Sequence, residues 1–191
     1  YALVNLIGYR PNDKETKNNI HLLNFSGSWS SSINRFPIGI CKFLKLKKLY
    51  LPYNKIANLP EELGELSELE VLDISNNNIS DDGIPNSLNQ LINLKELSFS
   101  ENHIQKFPET IGSLICLEKL QLRGKYDFQT FDSVIDDIGN LVKLEVLDLS
   151  DNNITTLPKS IGRLSKLKNL DLSGNNLESL PESISGLKSL D

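Results

Sequence analysis

The residues best suited to chemistry in this sequence are aspartates that recur at a fixed spacing near its end. Asp148 and Asp171 occupy the same place in two copies of the phrase LDLS, and Asp151 follows the first copy. Oxygen-only ligands of this kind can hold Ca²⁺ when they come together. Because LDLS is the ordinary phrase of a repeat, solvated aspartates are the favoured interpretation, and no metal or other cofactor is predicted.

Catalytic groups of other kinds find little support. His21 and His103 stand apart from any partner, and no HExxH, GxSxG or phosphate-loop pattern occurs. Lys125 follows one glycine only, which is too few to cradle a phosphate. His103 follows Asn102 and is expected to be a solvated turn residue. The sequence therefore predicts a protein that is not an enzyme.

The LDLS copies belong to a longer phrase that occurs twice. LEVLDLSDNNITTLPKSIGRLSK at 144–166 is followed by LKNLDLSGNNLESLPESISGLKS at 167–189. Leucines at fixed offsets with one asparagine predict a solenoid of stacked coils. The predicted repeats are 20–45, 46–68, 69–93, 94–116, 117–143, 144–166 and 167–189.

The predicted fold class is α/β, a curved horseshoe built from these coils. A parallel β-sheet should line the concave face, and short helical or 3-10 turns should form the convex face. Residues 1–19 are predicted to be an N-terminal cap or connector, and 190–191 begin an eighth repeat within the repeat domain 20–191.

Each repeat assigns a physical role to its residue types. The leucines of LxxLxL should point inward from a short strand, and the residues between them should face outward. An asparagine after the strand can donate and accept at once, which lets it pair backbone groups of adjacent coils. The predicted asparagine ladder comprises Asn54, Asn77, Asn102, Asn152 and Asn175.

Repeats one, three and five depart from the pattern by insertions after the strand, which should project on one flank. Ser28 and Lys125 replace the ladder asparagine in repeats one and five. Phe131 is expected to fold back and cover the break. Because functional residues concentrate on loops of a rigid scaffold, the candidate binding residues in the insertions are Trp29, Tyr126 and Phe128.

The outward positions of the strands form a second candidate surface. Tyrosine and arginine are preferred anchors in protein interfaces, and exposed tyrosines on a strand have few structural reasons to be there. The alternative is that they only cover the sheet. The predicted binding residues of the concave face are Tyr50, Tyr53, Lys48, Val71, Asp73, Glu96, Lys119, Gln121 and Arg123.

Charge and cysteine content narrow the function further. A net charge of −5 and the absence of any block of five basic residues disfavour nucleic acid as a partner. No apolar run is long enough to insert into a membrane. Cys41 and Cys116 fall three coils apart, roughly 14 Å at the spacing of parallel strands, which is too far for a disulfide.

LPEELGELSEL, FPETIGSLICL and LPKSIGRLSKL carry a family resemblance. The chain resembles the leucine-rich-repeat superfamily, in the LPxxIGxLxxL subclass of Ras-group and scribble-like proteins and of spirochaete leucine-rich-repeat-only proteins. The resemblance implies protein binding, usually through the concave face. The favoured setting is a bacterial secreted or surface protein that engages host proteins.

Two other functions stay open. The first is an intracellular, cytoplasmic scaffold for small GTPase or polarity signalling. The second is the recognition arm of a larger enzyme whose catalytic domain would lie outside residues 1–191. Self-association through the uncovered edge of the last repeat is a further expectation, since a solenoid needs a polar terminal cap.

Overall fold

A computed structural model describes residues 20–27, 32–126 and 128–190. Seven three-residue strands form one parallel sheet in chain order β1 to β7. The predicted cap at 1–19 and Trp29 lie outside the described residues. The strands are β1 Leu22–Asn24, β2 Lys48–Tyr50, β3 Val71–Asp73, β4 Glu96–Ser98, β5 Lys119–Gln121, β6 Val146–Asp148 and β7 Asn169–Asp171.

Short 3-10 helices return the chain behind the sheet, so the predicted solenoid class is confirmed. No helix in the described part of the chain exceeds five residues, and none is long and apolar enough to cross a membrane. The helices are Ile38–Lys42, Glu61–Glu65, Asp81–Gly83, Asn86–Gln90, Glu109–Ser113, Asp136–Asn140, Lys159–Arg163 and Glu182–Gly186.

Proline and glycine fix the shape of the return. Pro60 precedes the helix Glu61–Glu65 with extended backbone, and its carbonyl accepts from the amide of Leu63. Proline therefore stands one residue before the helix rather than at its first position, because its ring suits the extended conformation there. Adjacent helices approach closely: a Cβ on Gly162 would lie 2.1 Å from the carbonyl oxygen of Ser183.

The core is the column of inward leucines and isoleucines between sheet and helices. Leu49, Leu97, Leu120 and Leu147 are at most 1% exposed. Each fully buried side chain of this size contributes about 1.5–3 kcal/mol, but only when the next coil covers it. In the last coil Leu170 is only partly buried. Stability therefore depends on stacking between neighbours.

The strand register aligns the outward positions in two columns, which together form the sheet face. One column consists, in chain order, of the paired residues Lys48, Val71, Glu96, Lys119, Val146 and Asn169. The other column consists of the paired residues Tyr50, Asp73, Ser98, Gln121, Asp148 and Asp171. The exact repeat boundaries stay predictions.

Candidate binding surfaces

The asparagine ladder closes the coils through buried amides. Asn77 is 1% exposed. Its Nδ2 donates to the carbonyls of Leu51 at 2.9 Å and Ile74 at 3.1 Å, and its Oδ1 accepts from the amide of Ile56 at 3.0 Å. One side chain thus pairs backbone groups of two adjacent coils, and this leaves the turn rigid. Asn54, Asn102 and Asn175 make the same pattern of bonds.

The ladder breaks at repeat five, where Lys125 has no amide to offer. The buried Oδ1 of Asn152, in the next coil, has no hydrogen-bond partner among the described residues. Regular ladder oxygens accept from a backbone amide of the preceding coil, as Oδ1 of Asn77 does from Ile56, so the unpaired oxygen is a cost of the irregular repeat-five turn. Phe131 lies beside the break: it is 3% exposed, lines a small void with Asn102 and Asn152, and packs edge-on against Phe107, with ring centroids 5.6 Å apart. The prediction that Phe131 covers the break is confirmed.

Lys125 is held by two rings instead of by the ladder. Its Nζ lies 3.0 Å from Nε2 of His103 and 5.1 Å from the ring centroid of Phe128. The Phe128 ring stacks on His103 with centroids 4.2 Å apart. The prediction of a solvated turn residue at His103 was wrong, because the insertion lays an aromatic ring over it. The sequence alone could not have identified this contact, since His103 and Phe128 lie in different repeats.

The environment of His103 disfavours its charged form. Burial lowers the pKa of His103, and the ammonium of Lys125 lowers it further. A lysine donates and never accepts, so Nε2 must be the unprotonated acceptor in this contact. The His103, Lys125 and Phe128 group is named the aromatic clamp below.

Beside the aromatic clamp, an open groove of about 740 Å³ crosses the turns that follow the strands. We call it the flank groove. It is lined in chain order by Ser32, Tyr53, Lys55, Asn76, Asn78, Glu101 and Lys125. Ser32 of repeat one and Lys125 of repeat five thus lie at its two ends, on one flank of the solenoid.

Repeat three does not follow that expectation. Its insertion forms the extra helix Asp81–Gly83, and the Asp81 carboxylate accepts from the amides of Gln105 and Lys106. These bonds hold the insertion against repeat four, and it contributes nothing to the lining of the flank groove. The carboxylate of the insertion is used for packing between coils.

Tyr53 is an unusual residue type for its place in the turn, where Asn76, Glu101, Asp151 and Gly174 share its left-handed backbone. Tyr53 has φ 58°, and Asn76 and Glu101 occupy the same place in the next two repeats with φ 54° and 58°. The left-handed region is costly for a tyrosine and cheap for glycine or asparagine. Gly174 fills this place in repeat seven. The ring of Tyr53 is 62% exposed at the groove wall, so core packing does not explain the choice of residue.

The sheet face differs in part from expectation. Tyr50 is half-buried rather than exposed. Val71 is 6% exposed and offers a partner little surface. A short side chain between Lys48 and Glu96 in the register is covered by longer neighbours. Lys48 and Glu96 are exposed, and Asp73, Lys119 and Gln121 are half-buried on this face.

The aspartates of the sheet face are engaged in local turns. Oδ1 of Asp148 accepts from the amide of Ser150 at 3.0 Å and from its hydroxyl at 2.6 Å. Asp171 does the same with Ser173, and these bonds lower the pKa of Asp171. The described residues contain no group of three or more potential ligands placed to hold a metal. The carboxylates therefore shape the strand ends.

Arg123 serves neighbouring carboxylates. Its guanidinium lies 2.8 Å from Asp151 and 3.5 Å from Glu101. These contacts balance the charge of Glu101, the acidic residue of the groove lining. Among the described residues, Lys55 and Lys125 of the flank groove are then left without an acidic partner. Tyr126, at 85% exposed, is the most exposed of the large apolar side chains in the described insertions.

The opposite edge of the sheet carries paired charges. Glu70 lies between Lys47 at 3.3 Å and Lys95 at 2.8 Å, and these contacts lower the pKa of Glu70. Lys168 pairs with Glu145 at 2.6 Å. Both cysteines are free; Cys41 is buried, which with nearby Glu62 raises its pKa to about 12. This edge therefore offers matched ion pairs, and Cys41 lies apart from it in the helix Ile38–Lys42.

Comparisons place the chain among known proteins. A family model described as a leucine-rich repeat region matches residues 20–134 and 125–191. A leucine-rich-repeat protein of Leptospira interrogans is similar, with 33% identity and a TM-score of 0.72 over 84% of this chain and 40% of that one. Leucine-rich repeat-containing protein 10 of Bos taurus is 46% identical over 48 residues, 25% of this chain and 17% of that protein.

Two plant receptors share the fold. The ectodomain of an Arabidopsis thaliana membrane receptor kinase, in complex with Casparian strip integrity factor 2, is 33% identical with a TM-score of 0.70 over 82% of this chain and 19% of that one. A peptide hormone receptor in complex with its peptide is 29% identical with a TM-score of 0.73, over 90% of this chain and 27% of that one. This chain spans under half the length of each of these proteins. With the family model matching most of its 191 residues, the chain belongs to the leucine-rich repeat family.

Proposed function

We propose that this chain is a protein-binding module whose partner contacts the flank groove and the adjoining sheet face. The observation that carries the proposal is Tyr53, a ring that is 62% exposed on backbone with φ 58°. The repeat turn requires this backbone, since Asn76, Glu101, Asp151 and Gly174 share it, but a tyrosine is a costly choice there and a preferred interface anchor. Neither the core nor the ladder uses this ring.

The sheet face extends this surface. Lys48, Asp73, Glu96, Lys119 and Gln121 remain on the proposed contact area because their side chains keep some or all of their exposure. Tyr50 lies next to Asp73 in the register and joins the sheet face to Tyr53. In the insertions, Tyr126 and Phe128 are the proposed contact residues. Trp29 stays a proposal from the sequence alone.

The proposed setting is the surface of a bacterial cell, or secretion from it, where the partner is a host protein. Likeness to the Leptospira interrogans protein over 84% of the chain supports this. The likeness to the mammalian protein covers only 25% of the chain. Protease treatment of intact source cells tests the setting: a surface protein is digested, and an intracellular scaffold is protected.

A comparative capture experiment tests the binding proposal. Immobilised wild type, Tyr50→Ala/Tyr53→Ala and Ile115→Ala are exposed to the same host-cell lysate, and bound proteins are quantified by mass spectrometry. Ile115 is a matched control, since its side chain is 55% exposed but lies in repeat four away from the groove lining. A partner lost only from the tyrosine variant supports the proposal. Partners unchanged in that variant would remove the tyrosines from the site.

A further inference from the structure

We infer that the flank groove binds an extended, acidic peptide segment of the partner. The inference rests on the proposed function and adds the chemistry of the ligand. It concerns the flank groove alone and not the sheet face. It also says which groove residues contact the partner by charge and which by hydrogen bonds to its backbone.

The groove has the length of a short peptide. Its lining runs from Ser32 in repeat one to Lys125 in repeat five. Four steps between parallel coils at about 4.8 Å give roughly 19 Å. An extended chain advances about 3.3 Å per residue, so about six residues fill the groove from end to end.

The groove has an unbalanced positive charge. Among the described residues Lys55 and Lys125 form no ion pair, whereas Lys47, Lys95 and Lys168 on the opposite edge all pair with glutamates. Glu101 is the acidic residue of the lining, and Arg123 balances it. In a chain of net charge −5, two uncompensated ammonium groups at one groove favour carboxylates in the ligand.

The groove also offers groups that can pair a peptide backbone. The ladder residue Asn77 uses its amide for buried backbone groups, but within the described residues the side chains of Asn76 and Asn78 have no hydrogen-bond partner. Each amide can donate to a carbonyl and accept from an N–H. An extended peptide presents both groups at each residue, while a simple anion presents acceptors only.

The aromatic clamp fixes one of the two cations in advance. Lys125 is held at 3.0 Å by His103 and lies over the Phe128 ring. A side chain that is already ordered loses less conformational entropy on binding. The groove therefore has one ordered cation at the repeat-five end, free amides in the middle and the Tyr53 ring at the other end.

A positional library of capped hexapeptides tests the inference. Wild-type protein should enrich peptides with Asp or Glu over those with Lys or Arg. In Lys55→Glu/Lys125→Glu the enrichment of acidic peptides should fall about tenfold, since two attractive contacts become repulsive. The matched control, Lys166→Glu/Lys188→Glu, places the same charge change on exposed residues of repeats six and seven, and should leave enrichment unchanged.

Three outcomes of the peptide library would overturn the inference, and a competition experiment supplies a fourth. They are no enrichment, enrichment that ignores peptide charge, and acidic enrichment that persists in Lys55→Glu/Lys125→Glu. Full competition by tripolyphosphate at equal charge would also overturn it, by showing an anion site without backbone recognition. If the captured partner still depends on Tyr50 and Tyr53 in any of these cases, the proposed function survives and only the acidic segment is lost.

Discussion

The turns of repeats three and five occupy equivalent places and are built on opposite principles. In repeat three, Asn77 is buried and pairs backbone groups of neighbouring coils. In repeat five, Lys125 contacts two rings, and Oδ1 of Asn152 in the next coil has no partner among the described residues. The first turn gives stability to the stack. The second turn stabilises the stack less but places a charged group at the flank groove. Lower stability in exchange for function is expected of a functional site.

Phe131→Ala should have the largest effect on the repeat-five turn. The ring is 3% exposed, occupies the inward position that Ile154 takes in repeat six, and packs on Phe107. Its loss should reduce the free energy of unfolding by about 3–5 kcal/mol, measured by urea denaturation. Phe128→Ala, in the same insertion but 48% exposed, should cost under about 1 kcal/mol. Equal costs would mean that the insertion does not cover the break.

Asn77→Ala tests the repeat-three turn directly. The substitution leaves the buried amide of Ile56 without an acceptor, and the carbonyls of Leu51 and Ile74 each lose one donor. The expected cost is about 2–3 kcal/mol of unfolding free energy. Lys125→Ala should cost under about 1 kcal/mol. A lysine variant as damaging as the asparagine variant would contradict the contrast between the two turns.

Tyr53→Asn should raise stability and lower binding. Asparagine tolerates the left-handed backbone, as Asn76 does in repeat three, so relief of strain should add about 1 kcal/mol to the free energy of unfolding. The reciprocal change Asn76→Tyr should remove a similar amount. Differential scanning calorimetry measures both. If Tyr53→Asn lowers stability, the ring is structural and its assignment to the interface fails.

Lys125→Gln should have the smallest effect of these variants, a change in the pKa of His103 within the aromatic clamp. Burial, the larger cause of the low pKa of His103, remains, but the repulsion from Lys125 disappears. The pKa of His103 should therefore rise part of the way toward about 6.5, as measured by NMR titration of its ring protons. An unchanged midpoint would mean that the 3.0 Å contact does not persist in solution.

The sign of the pH dependence follows from the same contact. Because the folded pKa of His103 is depressed, the unfolded chain binds more protons as pH falls below about 6.5. Stability contributed by neutral His103 is present above that pH and is lost as pH falls through the folded pKa. Lys125→Gln brings the folded pKa of His103 closer to its unfolded pKa. The unfolding free energy of this variant should therefore depend less on pH between the two pKa values.

Local repetition explains why the fold and the ladder could be predicted from the sequence. The type and spacing of Leu147 and Leu170 alone predict that both point inward. The strand register pairs them as expected. The aromatic clamp could not be predicted in this way. His103 and Phe128 lie in different repeats, and their contact depends on where an insertion of irregular sequence folds back.

The sheet face shows a second limit of sequence reasoning. Position in a column predicts which side of the strand a residue faces, and does not predict how its neighbours cover it. Val71 faces outward in register yet is 6% exposed. Asp148 faces outward too, but its carboxylate is occupied by Ser150. Exposure and hydrogen bonding depend on side-chain lengths across three strands.

The central claim is that the flank groove selects the partner while the stacked strands and their core hold the shape. Amide chemical-shift mapping with the best acidic hexapeptide tests it most directly. The largest shifts should fall at Tyr53, Lys55, Asn76, Asn78 and Lys125. Shifts concentrated on the regular strands 146–148 and 169–171, with the flank groove unmoved, would contradict the claim.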